Sequence, residues 1–146
     1  MEKLNFMNER GSTIIEFALT ILIFLLILAA IVQFGYILLA NNIVETASFE
    51  GARAGSITPT LDPAVIERVA SDAVDNYIVK VLPGWDSGRM SKDITITGST
   101  PPTPEDTITV NVSYDVPVMF GNALFPSTGG SFTVMGESTM TLTEKP

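Results

Sequence analysis

Residues 17–40 read FALTILIFLLILAAIVQFGYILLA, and this stretch decides the fold class. Its 24 residues carry no formal charge. At about 1.5 Å per residue they form a helix of roughly 36 Å, enough to cross a hydrocarbon core of roughly 30 Å. Thr20, Gln33 and Gly35 interrupt the apolar run without breaking a backbone hydrogen bond. As the core helix of a soluble domain, a rod apolar all round would need covering on every side. The roughly 90 residues that follow are too few for that. A cleaved secretory signal would be shorter and would close on a small-residue cleavage site, whereas here the helix-compatible sequence continues through NNIVETASFEGARAG. The sequence therefore predicts a transmembrane helix over residues 17–40.

Lys3 and Arg10 precede this span, and the first basic residue after it is Arg53, beyond Glu45 and Glu50. The positive-inside bias predicts a cytoplasmic N-terminus and an extracytoplasmic C-terminal part. In the whole chain of 146 residues, 46% are hydrophobic and 16% charged, and the charged fraction falls below that of ordinary soluble domains. Sixteen acidic against eight basic residues argue against nucleic acid as a partner, because a phosphate backbone selects an excess of Lys and Arg. With neither Cys nor His, disulfides, thiol nucleophiles, imidazole bases and structural zinc are excluded.

Just ahead of the apolar run stands Arg10-Gly11-Ser12-Thr13-Ile14-Ile15-Glu16-Phe17. Glu16 lies inside the hydrophobic sequence, where an unpaired carboxylate is penalised by leaving water, so it requires the headgroup region or a partner. A cut between Gly11 and Ser12 would create an amine four residues ahead of Glu16, nearly one helical turn away. That amine, on the same chain or on a displaced neighbour, could neutralise the carboxylate. Alternatively, Gly11 separates a tail from a helix capped by Ser12 or Thr13, with Glu16 at headgroup level.

The Gly11 junction, the Glu16-Phe17 pair after it and the hydrophobic helix together resemble a class III, type IV pilin-type signal. Glu50-Gly51-Ala52-Arg53-Ala54-Gly55 further resembles the segment that closes the long helix in TadE-like pseudopilins of tight-adherence, or Flp pilus, systems. The resemblance is strong over residues 10–55. It implies a leader at residues 1–11, cleavage after Gly11 by an aspartate prepilin peptidase, and Ser12 as the mature terminus. It also implies that Glu16 and Phe17 set the axial register of assembly. The implied partners are the prepilin peptidase, other pilins or pseudopilins, the inner-membrane pilus assembly platform and the lipid bilayer.

The helical pattern extends from about Ser12 to Ala54, with residues 12–55 as one long helical segment. Ala47, Gly51 and Gly55 recur at four-residue spacing and put small side chains on one helix face. This face either packs closely on another element or, at Gly55, terminates the helix. Residues 56–146 read as an α+β domain. Asp62-Pro63 supplies a cap and first position for a second helix. Its core stripe is Val65, Ile66, Val69, Ala70, Ala73, Val74, Tyr77, Ile78 and Val81, with Glu67, Asp72, Asp75 and Lys80 outward. Pro83-Gly84 ends it.

Strand alternation appears at Asp93–Thr97, Ile108–Val116 and Phe132–Leu142, separated first by the proline-rich STPPTPED loop. The expected result is one helix packed on an antiparallel sheet of about three strands, a small pilin-like domain behind a long N-terminal transmembrane helix. Val118, Met119, Phe120, Leu124 and Phe125 form a second apolar group that either contacts a membrane or subunit or completes the core. Trp85 is expected to pack in the core. The pairs Glu105/Asp106 and Asp72/Asp75 read as solvated acids, since calcium or acid-base chemistry needs further ligands or a defined environment. No catalytic, cofactor-binding or metal-ligating set is expected. The resemblance points to a minor pilin or pseudopilin that supports assembly, priming or capping of a Flp or type IV-like adhesion pilus. The alternative is a permanently anchored accessory or adaptor subunit of the secretion complex that does not enter the filament.

Overall fold

With an apolar run over residues 17–40 and no proline before Pro59, the chain propagates one helix well past the length of a membrane span. In the computed structural model, which describes residues 5–100, 102–119 and 130–143, α1 runs Asn5–Ser56 over 52 residues. Over residues 5–11 only the backbone path is described. The helix thus starts before Ser12 instead of being capped there. Gly11 lies within it because one helical glycine costs only about 1 kcal/mol and breaks no hydrogen bond.

The chain divides into two compact units, Met1–Gly35 and Tyr36–Pro146. In the first, the helix reaches a mean hydropathy of 2.9, and its apolar side chains from Ile14 to Leu28 lie exposed on all sides. Thr20 fits this surface because its hydroxyl donates to the Glu16 carbonyl at 2.8 Å, so no polar hydrogen is left unpaired. Among the described residues α1 is the one helix long and apolar enough to cross a membrane.

The second unit holds the rest of α1, the helix α2 (Pro63–Val81), and strands β1 (Met90–Thr97), β2 (Thr107–Pro117) and β3 (Ser131–Thr141). Asp62 caps α2 by accepting from the Ala64 amide at 3.0 Å, with Pro63 in the first turn. Leu82 closes it by donating its amide to the Ile78 carbonyl, and Gly84 then turns the chain at a φ of 72°. The strands form an antiparallel sheet in the order β1-β2-β3, with Ile94 opposite Val110 and Val112 opposite Gly136.

Period-two alternation sends the even-numbered residues of β2 inward. Ile108, Val110, Val112, Tyr114 and Val116 are all buried. Over them lie Ile66, Ala70, Val74 and Ile78 of α2, and Ala40, Ile43, Val44, Ala47 and Ala52 of α1. The opposite face of the sheet carries the odd-numbered Ser, Thr, Asn, Asp and Glu residues. The architecture is therefore a long apolar helix followed by a helix packed on a three-stranded antiparallel sheet.

Several local details depart from the sequence reading. β1 begins at Met90, three residues early, because Met90, Ser91 and Lys92 pair with Tyr114, Ser113 and Val112 although they lack apolar alternation. Val81, assigned to the core stripe, is 43% exposed because it stands at the very end of α2, past Ile78, the last residue of the helix to be buried. Asp75 is not simply solvated: its carboxylate takes a 2.7 Å ion pair from Lys92, an inward-facing β1 residue whose ammonium also donates to the Ser71 hydroxyl. Asp106 is buried at 8% exposure instead of lying on a solvated face. Of the second apolar group, Phe120, Leu124 and Phe125 lie outside the described residues.

Candidate functional site

In the first unit, the junction residues sit on an exposed helix surface. Ser12, Glu16 and Phe17 are all exposed, Phe17 at 67%. Glu16 is the one charged side chain among residues 12–35, on a surface otherwise suited to lipid or to other apolar helices. The backbone of Gly11 is helical.

In the second unit, the small residues of α1 stand where α2 and the sheet approach. Ala47 is completely buried. A Cβ on Gly51 would lie 2.6 Å from Val74 Cγ2, 3.2 Å from the Ala70 carbonyl oxygen and 3.3 Å from Val110 Cγ1. One on Gly55 would collide with Ile108 Cδ1 and lie 3.3 Å from Ala70 Cβ. Gly55 does not adopt the left-handed conformation of a helix cap, and α1 continues to Ser56. Arg53 points away from this packing. It forms a 3.3 Å pair with Glu50 one turn back, its side chain 59% exposed, and such a pair contributes little stability.

Two features on the far side of these contacts carry weaker sequence signals. Gly136 of β3 lies directly under the α1 backbone, where a Cβ would be 2.7 Å from both the Val44 carbonyl oxygen and Glu45 Cα. Its only sequence signal is a small residue in an inward-facing strand position. Asp106 gathers the β1–β2 loop, its Oδ2 accepting from the Thr103 amide at 2.7 Å and the Ser99 amide at 2.9 Å. The Thr103 amide foremost, with the Ser99 amide and the Thr103 hydroxyl, outweighs the effect of burial and holds this carboxyl below its ordinary value of 3.8. Asp106 thus organises a turn. Its backbone carbonyl also accepts from Leu142, while Thr143 donates to the Ser56 carbonyl, tying the end of β3 to the end of α1.

Trp85 is half-buried and stacks on Tyr114, ring centroids 5.5 Å apart. On the open sheet face Ser91, Asp93, Asn111, Ser113, Met135 and Glu137 line a shallow depression of about 350 Å³. Among the described residues no group of three or more Asp or Glu side chains is placed to hold a metal ion. The distinctive features are consequently a helix surface bearing one carboxylate and the small-residue face that docks its continuation.

Residues 11–53 match the family described as TadE-like protein. Over this span the chain is TadE-like. The TadE-like segment begins at Gly11, covers Ser12, Glu16, Phe17, Ala47 and Gly51, and ends at Arg53. It comprises less than a third of the chain, all of it within α1, and leaves α2 and the sheet outside. No curated protein and no solved structure matches the chain.

Proposed function

We propose that this protein is a TadE-like minor pilin or pseudopilin, a membrane-stored subunit that supports assembly, priming or capping of a Flp or type IV-like adhesion pilus. The observation that carries the reading is the TadE-like match lying on a helix apolar all round, with Glu16 as its single charge from Ser12 to Gly35. A prepilin peptidase cuts between Gly11 and Ser12 at the cytoplasmic face. The new amine of Ser12 then faces Glu16 of its own or a neighbouring helix, and that pairing sets the axial register as the helix passes from lipid into a bundle of other pilins or pseudopilins.

The inner-membrane assembly platform supplies the work of extraction, and this chain contributes shape and charge instead of covalent chemistry. The docked region at Ala47, Gly51 and Gly55 holds the extracytoplasmic α+β domain on the outer part of α1. Arg53 stays at the solvent side of that junction.

N-terminal sequencing and intact mass of membrane-purified protein, produced with its native prepilin peptidase, test the first step. A terminus at Ser12 is expected, whereas retention of Met1 refutes processing. Filament fractionation tests the second: recovery with sheared pili supports a pilus subunit, and retention wholly in the membrane fraction favours a permanently anchored accessory subunit of the secretion complex.

A further inference from the structure

The second unit gathers apolar side chains at one end, and a hydrogen bond fixes the level of that end along α1. Tyr36 donates its hydroxyl to the Pro83 carbonyl at 2.8 Å, holding the turn between α2 and β1 beside residue 36. Residue 36 lies within the uncharged run 17–40, so this turn reaches a level at which α1 is still made for lipid. At the same end, β2 finishes at Pro117 opposite Ser131, and β1 starts at Met90 opposite Tyr114.

Exposed apolar side chains from three elements lie close in the chain to these residues: Leu38 and Leu39 within three positions of Tyr36 on α1, Val79 and Val81 within four of Pro83 at the end of α2, and Met119 two past the end of β2. Most of the other large apolar residues of this unit are in its core, and the exposed exceptions, Phe49, Ile57 and Met135, lie singly on other elements or positions. Trp85 sits in the turn itself, with one ring face against Tyr114 and the side chain still partly exposed. Lys80 and Arg89 flank it in sequence, both exposed, with alkyl stems long enough to lie along an apolar boundary while their charges stay in water; Arg89 pairs at 3.3 Å with Asp86 of the same turn, which leaves Lys80 as the cation in excess. An amphipathic indole beside such cations suits the headgroup layer of a bilayer.

We propose that this rim is a second membrane contact: the α2–β1 turn rests in the headgroup region of the bilayer that α1 crosses, with Trp85 as its interfacial anchor. The proposal rests on α1 spanning a membrane and is independent of any role in a pilus. The contact limits tilting of the folded domain about the point where α1 leaves the lipid, and it must be given up if the subunit is extracted.

Trp85 is the one tryptophan in the chain, so its emission reports the position of this turn without any substitution. The full-length protein is reconstituted into phosphatidylcholine vesicles whose acyl chains are either plain or brominated near the headgroup. Emission in the brominated vesicles is expected to fall roughly twofold, as for an indole at the interface. A Trp85→Phe, Phe49→Trp variant places the reporter on exposed α1 surface about 20 Å further along the helix axis, where bromine should leave emission nearly unchanged. Equal emission of Trp85 in both lipids overturns the proposal, as does equal quenching of the two reporters. Flotation with vesicles in alkaline carbonate reads the membrane span separately, so loss of the span and loss of the rim contact are distinguishable.

Discussion

Gly55 and Gly136 both stand where elements touch, yet a methyl group has different consequences at the two. At Gly55 the new methyl meets the Cδ1 tip of Ile108, which can rotate, and alanine recovers about 1 kcal/mol of helix propensity. At Gly136 it meets the α1 backbone at Val44 and Glu45, which cannot move without shifting the helix. Gly136→Ala is expected to cost about 1–3 kcal/mol, Gly55→Ala less, and thermal melts of the detergent-solubilised protein followed by far-UV circular dichroism will rank them. Asp106 gives a pH-dependent counterpart. Its folded pKa is lowered, so its contribution is fully present above the ordinary 3.8 and lost as pH falls through the lower folded value. Asp106→Asn should therefore melt below wild type at neutral pH, and the two curves should converge under acid; a constant gap across the range would contradict this assignment. Sequence spacing made Gly51 and Gly55 legible. It could not reveal Asp106, because Glu105-Asp106 reads like any exposed acidic pair until Gly98, at a φ of 146°, folds the loop amides around one of the two carboxylates.

At the scale of elements, α2 was readable from both ends, since Asp62-Pro63 and Pro83-Gly84 impose local geometry that needs no tertiary partner. The beginning of β1 was not. Met90-Ser91-Lys92 has a charged residue in an inward position, and only pairing with β2 and the carboxylate of Asp75 makes that position tolerable. Lys92 is mostly covered, at 21% side-chain exposure, whereas Asp75 is about half open, which discounts the strength of their ion pair. Lys92→Ala is expected to lower stability by about 0.5–1 kcal/mol and Asp62→Ala by about 1 kcal/mol through loss of the cap. The two sites share no partner, so a double variant should show nearly the sum in the same melting assay. A loss in the double variant exceeding the sum of the separate losses would mean that α2 docks cooperatively with β1 through more than the Lys92 bridge.

For the whole molecule, one helix serves two solvents. From Ile14 to Leu28 its apolar side chains are exposed, and from Ala40 its small residues are buried in a protein core. The first property is legible in composition alone, because no globular domain of this size could cover such a rod. The second required the four-residue spacing of Ala47, Gly51 and Gly55, and its sheet-side complement at Gly136 became visible only once β3 was placed. This division separates the consequences of substitution. Gly11→Trp puts a large side chain beside the proposed scissile bond, and under the proposed processing it should leave an uncleaved precursor by mass while the melting of the folded domain is unchanged. Glu16→Gln removes the charge but keeps the shape and the amide's hydrogen-bonding capacity, and it makes the apolar run easier to insert. Membrane insertion and cleavage should therefore remain normal, whereas incorporation into sheared filaments should fall at least tenfold, the equivalent of losing about 1.4 kcal/mol of pairing per subunit. Normal incorporation by Glu16→Gln would mean that axial register comes from helix packing alone and that Glu16 needs only the headgroup layer.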